Sequence, residues 1–174
     1  MASDEALMVE FQHGSRRALE ELFERYRQPL FGFFRRRLSL RERAEDLTHD
    51  TFLAVMGAKT RYEPRASVRT YLYSIAMNLL AAEHRKSLRV IPEKTTVVRD
   101  GSDTVLWVRQ ALEKLDAEER EILMLREYEQ LSYAEIGELL GLPVNTVRSR
   151  LFRSRMALKG HLNPAGSLEN VKCK

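Results

Sequence analysis

A chain of 174 residues, 44% apolar and 31% charged, with eight Gly and five Pro, is long enough to bury a core as one domain or two small ones. That composition excludes collagen-like, low-complexity and disordered classes and favours helices. The lone cysteine, Cys173, excludes an internal disulfide and a Cys-rich zinc site. The net charge of +4 is too small to name a polyanionic partner. No run approaches the roughly 18 apolar residues that span a bilayer, and Met1-Ala2-Ser3-Asp4-Glu5 lacks the basic and apolar regions of a secretory signal. A cytoplasmic location without membrane insertion is expected.

In chain order, Ala6, Leu7, Val9 and Phe11 open a first helix that Gly14 breaks, and Ser15 caps a second carrying Leu19, Leu22, Phe23 and Tyr26. Pro29 is expected to kink or restart that helix before Leu30, Phe31, Phe33, Phe34 and Leu38. The run Phe34-Arg35-Arg36-Arg37 with Arg41 and Arg43 reads as a solvated face. A helix over Arg41 to Gly57 places Ala44, Leu47, Thr51, Phe52 and Val55 on one stripe. That leaves Glu45, Asp46, His49 and Asp50 toward solvent or a partner. After polar punctuation at Lys59 to Ala66, Ser67 caps a long helix with Tyr71, Leu72, Ile75, Ala76, Leu79 and Leu80.

Turn formers between Arg89 and Asp103 mark a linker and a domain boundary. Beyond it, Val105 to Leu115 reads as a helix. Asp116 with Glu119, and Ser132 with Glu135, each form a capping-box pattern for the next. Gly141 follows a helix end, and Pro143 precedes a last helix over Val144 to Leu158. The tail 163–174 has little to bury and is expected to fray.

Charge is distributed unevenly in this half. Glu113 to Glu138 holds nine acids against three bases, whereas Val144 to Gly160 holds five bases and no acid. One end is therefore expected to meet something negative and its neighbour is not. Ser132 to Leu151 has the grammar of a helix-turn-helix, with Ala134, Ile136, Leu140, Leu142, Val147 and Leu151 packing two helices across a Gly-containing turn. Asn145, Thr146, Arg148, Ser149, Phe152 and Arg153 are left outside, where they can reach phosphates and base edges in a major groove.

In the first half, the loop Lys59 to Ala66 and the helix bearing Arg69, Tyr71, Tyr73 and Asn78 interleave cations with aromatics, a pattern suited to single-stranded DNA. The plainer alternative makes Tyr71 and Tyr73 ordinary half-buried helix residues. Glu10 with His13, and Asp46 with His49, resemble half of a helical di-metal site, but two further facing carboxylates and a pocket are missing from the pattern. No nucleophile triad and no Gly-rich phosphate loop appears, so neither catalysis nor a cofactor is expected.

These residues resemble the extracytoplasmic-function sigma factors of bacterial RNA polymerase. Ala44-Glu45-Asp46-Leu47-Thr48-His49-Asp50-Thr51-Phe52-Leu53 and Ser67 to Leu79 are similar to that family's second sigma region. Leu131 to Ile136 and Pro143 to Leu151 are similar to its fourth. The resemblance implies an all-α chain of two helical domains joined by a flexible linker: region 2 over 1–88, linker 89–103, region 4 over 104–162, and a disordered tail over 163–174. It implies an alternative initiation factor with no chemistry of its own, monomeric when free and associated with the nucleoid.

By the same resemblance, Glu45, Asp46, His49 and Asp50 would bind the clamp helices of core polymerase, and the acidic fourth-region surface would lie beside the flap. Arg61, Tyr62, Arg65, Arg69, Tyr71 and Asn78 would melt the −10 element and hold a flipped base, whose unstacking costs a few kcal/mol. Asn145, Thr146, Arg148, Ser149, Phe152 and Arg153 would read the −35 element. An anti-sigma factor is implied as a further partner. Tyr71 stands where the family often has Trp, His49 where Gln is common and Asn145 where Gly is common. A stand-alone helix-turn-helix regulator and a di-metal helical enzyme are the rival readings.

Overall fold

A computed structural model describes residues 2–58, 62–63, 67–87 and 103–162. Among them every regular element is helical, as the composition predicts. The chain divides into two compact units, Met1–Val97 and Val98–Lys174. The expected linker 89–103 and the expected frayed tail 163–174 lie outside the described residues, except that residue 103 begins a helix. No helix among the described residues is long and apolar enough to cross a membrane.

The first unit holds α1 (Asp4–Gln12), α2 (Arg16–Arg35), α3 (Arg41–Gly57) and α4 (Val68–Ser87). Each helix starts where a short polar side chain or an extended residue frees the first turn. Ser3 Oγ accepts from the Ala6 N–H, Ser15 Oγ from Ala18 and Ser67 Oγ from Thr70, so orphan donors are satisfied locally. Down α2, Ala18, Leu22, Tyr26, Leu30, Phe33 and Phe34 recur three or four residues apart and are buried. Phe33 meets Phe34 and Tyr73 edge-on, with ring centroids 5.2 and 5.5 Å apart, and Phe23 meets Phe52 at 4.8 Å.

Two local expectations change here. α2 runs unbroken through Pro29 instead of restarting. Pro29 is exposed, so its ring lies on the solvent side of α2 and displaces no core side chain. The arginines at the end of α2 are not merely solvated. Arg35 donates to the Leu38 carbonyl at 3.1 Å and Arg37 to the Phe33 carbonyl at 3.0 Å, placing positive charge on the negative end of the helix.

Burial on α3 follows the expected stripe, with Ala44, Leu47, Thr51, Phe52 and Val55 inside. The buried Thr48 and Thr51 hydroxyls donate to the carbonyls four residues back, each at 2.7 Å, so neither is left unsatisfied. Arg43 ties α3 to α4 through a two-point contact with Glu83, at 2.9 and 2.7 Å. Hydrogen bonding from Arg43 holds the Glu83 carboxyl below its ordinary value of 4.5. A depressed carboxylate stabilises the fold above pH 4.5 and loses that contribution as pH falls through the lowered value. Glu83→Gln is therefore expected to cost about 1 kcal/mol at neutral pH. Urea unfolding should show the gap from wild type closing as pH falls below 4.5, and a pH-independent gap would contradict the pairing.

The second unit holds α5 (Asp103–Glu113), α6 (Ala117–Glu127), α7 (Tyr133–Leu140) and α8 (Val144–Leu162). Its core is Ala111, Leu115, Ile122, Leu123, Met124, Leu125, Leu131, Ile136, Val147 and Leu151. Asp116 caps α6 by accepting from the Glu119 N–H at 2.8 Å, and Ser132 and Glu135 complete a reciprocal capping box on α7. Arg120 donates to the Leu112 and Leu115 carbonyls at 3.1 and 3.0 Å, closing the end of α5. α8 extends to Leu162, beyond the expected Leu158. With Lys159 and His161 in its last turn, the added length ends in side chains that suit a helix C-terminus.

Candidate nucleic-acid and protein interfaces

α7 and α8 meet across Gly141-Leu142-Pro143. Gly141 adopts φ 65° and ψ 35°, the left-handed conformation that ends a helix at little cost only for glycine. Ile136, Val147 and Leu151 are buried at the crossing, but Ala134, expected there, is exposed. Its place in the contact is taken by Gly137. A Cβ on Gly137 would stand 2.7 Å from the Leu142 carbonyl oxygen, while the Leu142 N–H donates to the Gly137 carbonyl at 2.8 Å. The turn thus packs directly on the backbone of α7. Sequence reading misses this because the residue that matters contributes by having no side chain.

Six of the exposed positions on α8 are Asn145, Arg148, Ser149, Phe152, Arg153 and Met156, with Thr146 half-buried at the edge. The exposed six recur at i, i+3, i+4, i+7, i+8 and i+11, so they form one face. Arg148 and Arg153 make no ion pair among the described residues. Phe152 is 64% exposed, an apolar ring held out beside two guanidinium groups. Such a face can pair with guanine, bridge phosphates and contact a thymine methyl.

Not all the basic residues of α8 join this face. Arg150 reaches Glu118 at 2.7 Å and Arg155 reaches Glu127 at 2.6 Å. Hydrogen bonds from Arg155 to Glu127, and then to Tyr133, accompany a raised pKa for that arginine. The opposed charges along the sequence are thus partly cancelled within the unit. Glu118 and Glu127 neutralise part of the basic helix, while Asp116 and Glu135 cap helices.

The first unit carries two further surfaces. On α3, Asp46, His49 and Asp50 are exposed and Glu45 is half-buried beside Arg41, which it meets at 2.8 Å. Asp46 accepts from Arg43 at 2.9 Å, and the His49 ring lies 6.3 Å from that of Phe23. The same face continues into Leu53 and Met56, 61% and 51% exposed, which the sequence reading left out. Extending the Asp46-His49-Asp50 stripe by one and two further turns finds both. The arrangement joins carboxylates to apolar side chains and suits a protein partner. Neither histidine pattern is joined by further ligands: among the described residues no three His, Cys, Asp or Glu side chains are grouped to hold a metal.

On α4, Tyr71 is half-exposed and Asn78 exposed, seven residues apart on one stripe. Arg69, two residues from Tyr71, projects from another side of the helix at ~100° per residue. Its charge acts there on the Tyr26 hydroxyl, whose pKa burial and Asp4 push upward. The structure thus brings Tyr71 and Asn78 together and sets Arg69 apart. Tyr62 is only 4% exposed, its ring centroid 5.2 Å from that of Tyr71, so the ring is closed in rather than offered to a base. Tyr73, one of the interleaved aromatics, belongs to the core. Arg61 and Arg65 lie outside the described residues.

Comparison with known proteins follows the same division. Residues 22–90 match the family described as Sigma-70 region 2, and residues 106–158 match Sigma-70, region 4. α1 lies outside both matches. The chain is 34% identical over 170 residues to the ECF RNA polymerase sigma factor SigC of Mycobacterium tuberculosis, covering 91% of each. It is 29% identical over 173 residues to the RNA polymerase sigma factor YlaC of Bacillus subtilis, covering 90% of this chain and 98% of that one. Among solved structures, CnrH in complex with the cytosolic domain of CnrY aligns with a TM-score of 0.73 at 25% identity, covering 94% of this chain and 99% of that one. The sigma factor RpoE of Bartonella quintana, bound to the anti-sigma factor NepR, aligns with a TM-score of 0.68 at 24% identity, covering 83% and 96%.

Proposed function

Since the chain belongs to the extracytoplasmic-function sigma factors of RNA polymerase, alternative factors that direct initiation to particular promoters, we propose how its residues divide that task. Region 2, residues 1–88, binds core polymerase and the melted −10 strand. Region 4, residues 104–162, reads the −35 duplex, and residues 89–103 connect them. The chain does no chemistry of its own and works in the cytoplasm on the nucleoid.

The observation that carries this reading is the α8 face, where Arg148, Phe152 and Arg153 stay outward while Arg150 and Arg155 are held by carboxylates. A merely solvated basic helix has no reason to sort its arginines so. Arg148 and Asn145 serve base edges, Phe152 and Thr146 contact methyl groups, and Ser149 and Arg153 serve phosphates. In region 2, Tyr71 stacks on an unpaired base and Asn78 hydrogen-bonds along the same stripe. Arg61 and Arg65 supply charge toward the strand's backbone, and Tyr62 supports the Tyr71 ring from behind.

Glu45, Asp46, His49 and Asp50, with Leu53 and Met56, form the docking face for the polymerase clamp helices, and the acidic side of region 4 lies against the flap. The RpoE structure holds an anti-sigma factor, and a partner of that kind suits this chain as well. Because Asp50 is exposed on the α3 face, Asp50→Lys is expected to weaken core binding by roughly tenfold. Fluorescence anisotropy with purified core polymerase checks this, and unchanged affinity would remove α3 from the interface.

A further inference from the structure

Tyr62 and the start of α4 are each hydrogen-bonded to α1, fifty or more residues earlier in the chain. Gln12 Nε2, at the end of α1, donates to the Tyr62 carbonyl at 2.9 Å. Glu5 Oε1, in the first turn of α1, accepts from the Val68 N–H at 3.4 Å, placing a carboxylate at the positive end of α4. Glu5 and Gln12 are seven residues apart and therefore share one face of α1.

α1 is itself anchored. Leu7, Met8 and Phe11 are buried, and the Asp4 carboxylate accepts from both Arg25 and the Tyr26 hydroxyl of α2. Arg25 also donates to the Ala2 carbonyl at 3.0 Å. A continuous run of contacts therefore leads from α2 through α1 to Tyr62, and from the Tyr62 ring to Tyr71.

We infer that α1 sets the register of the −10-reading surface, with Gln12 and Glu5 as positioning residues that locate Tyr62 and the start of α4, and through them the Tyr71 ring. The inference rests on the assignment of Tyr71 and Asn78 to the −10 strand. α1 does not touch DNA in this account. Its contribution is that the ring meeting the base is already oriented when the strand opens, so the ordering cost falls on folding and not on promoter melting.

The test uses the full chain bound to core polymerase. The probe is a fluorescent single-stranded oligonucleotide carrying the non-template −10 sequence of a promoter that the wild-type holoenzyme transcribes, together with versions substituted at each base in turn. Gln12→Glu keeps the size of the side chain and removes the donor. It is expected to reduce discrimination by about fivefold, the worth of one neutral hydrogen bond, at the base whose recognition Tyr71→Ala also weakens. Gln12→Lys keeps a donor and should restore discrimination to within about twofold, a rescue that a general packing role for residue 12 does not predict. Glu5→Gln, which weakens the acceptor at Val68, should act in the same direction and serves if Gln12→Glu fails to fold.

Wild-type discrimination in both Gln12→Glu and Glu5→Gln would overturn the inference, as would an equal loss on every oligonucleotide. If Tyr71→Ala and Asn78→Ala themselves leave discrimination unchanged, the −10 assignment fails first and the positioning role falls with it. The two failures are thus told apart by which variants are silent.

Discussion

Gly137→Ala is expected to destabilise region 4 by about 2 kcal/mol and to abolish −35 recognition at temperatures where wild type is folded. The added methyl would sit 2.7 Å from the Leu142 carbonyl oxygen and 3.7 Å from Val147 Cγ2. The first neighbour is backbone and cannot rotate away. It is pinned by the bond from its own N–H to the Gly137 carbonyl, by the left-handed Gly141 before it and by Pro143 after it. Overpacking of this kind costs roughly 1–3 kcal/mol, against which the better helix propensity of alanine returns up to about 1.

For a unit of this size each kcal/mol moves the melting midpoint by roughly 4–8 °C, so a fall of about 10 °C is expected. The single tryptophan, Trp107, lies on α5 and reports on this unit alone. Following its fluorescence with temperature checks the prediction. Gly141→Ala is a useful contrast: its Cβ meets open space, and only the positive φ opposes it, at about 1–2 kcal/mol. A Gly137→Ala midpoint equal to wild type would mean that α7 and the turn do not pack as described.

The second large effect concerns the arginines of α8. Arg148→Ala is expected to lose about 1–3 kcal/mol at one −35 position and relax preference there, while other positions keep theirs. Glu118→Gln should do the opposite. It releases Arg150 from its ion pair, so binding should strengthen on every duplex and the salt dependence should steepen by about one phosphate contact. Competition binding of holoenzyme to a panel of −35 variants at two salt concentrations separates the two. A uniform loss for Arg148→Ala would make that arginine a phosphate contact, and an unchanged salt slope for Glu118→Gln would leave Arg150 out of the DNA interface.

Much of the architecture is legible in the sequence because it is written in local signals. Ser15, the Ser132 and Glu135 pair, and Gly141 each mark a helix end by chemistry confined to one turn, and α3 runs over the expected Arg41 to Gly57. What is not legible depends on residues far apart in the chain. Arg150 and Arg155 find Glu118 and Glu127 across 32 and 28 residues, which no charge count along the sequence reveals. Tyr62 looks like a stacking aromatic until α1 and Tyr71 close over it, and Gln12 carries no motif at all. Gly137 holds the place expected of Ala134 because packing against a carbonyl selects the smallest residue, not the most apolar one.

The candidate site shows the same limit. A helical period finds the face of α8, and it would have found Leu53 and Met56 had the α3 stripe been followed beyond Asp50. It does not place Arg69, because two residues along a helix change the face and the interleaved pattern of cations and aromatics ignores that rotation.

Run-off transcription with purified core polymerase on a library of genomic promoter fragments tests the central claim most directly, with core alone and this chain alone as the two controls. Initiation from a small set of promoters, dependent on both components and sharing one −35 and one −10 element, is the predicted result. Tight sequence-specific duplex binding by the chain alone, with no core-dependent initiation, would contradict it and identify a regulator that acts without polymerase.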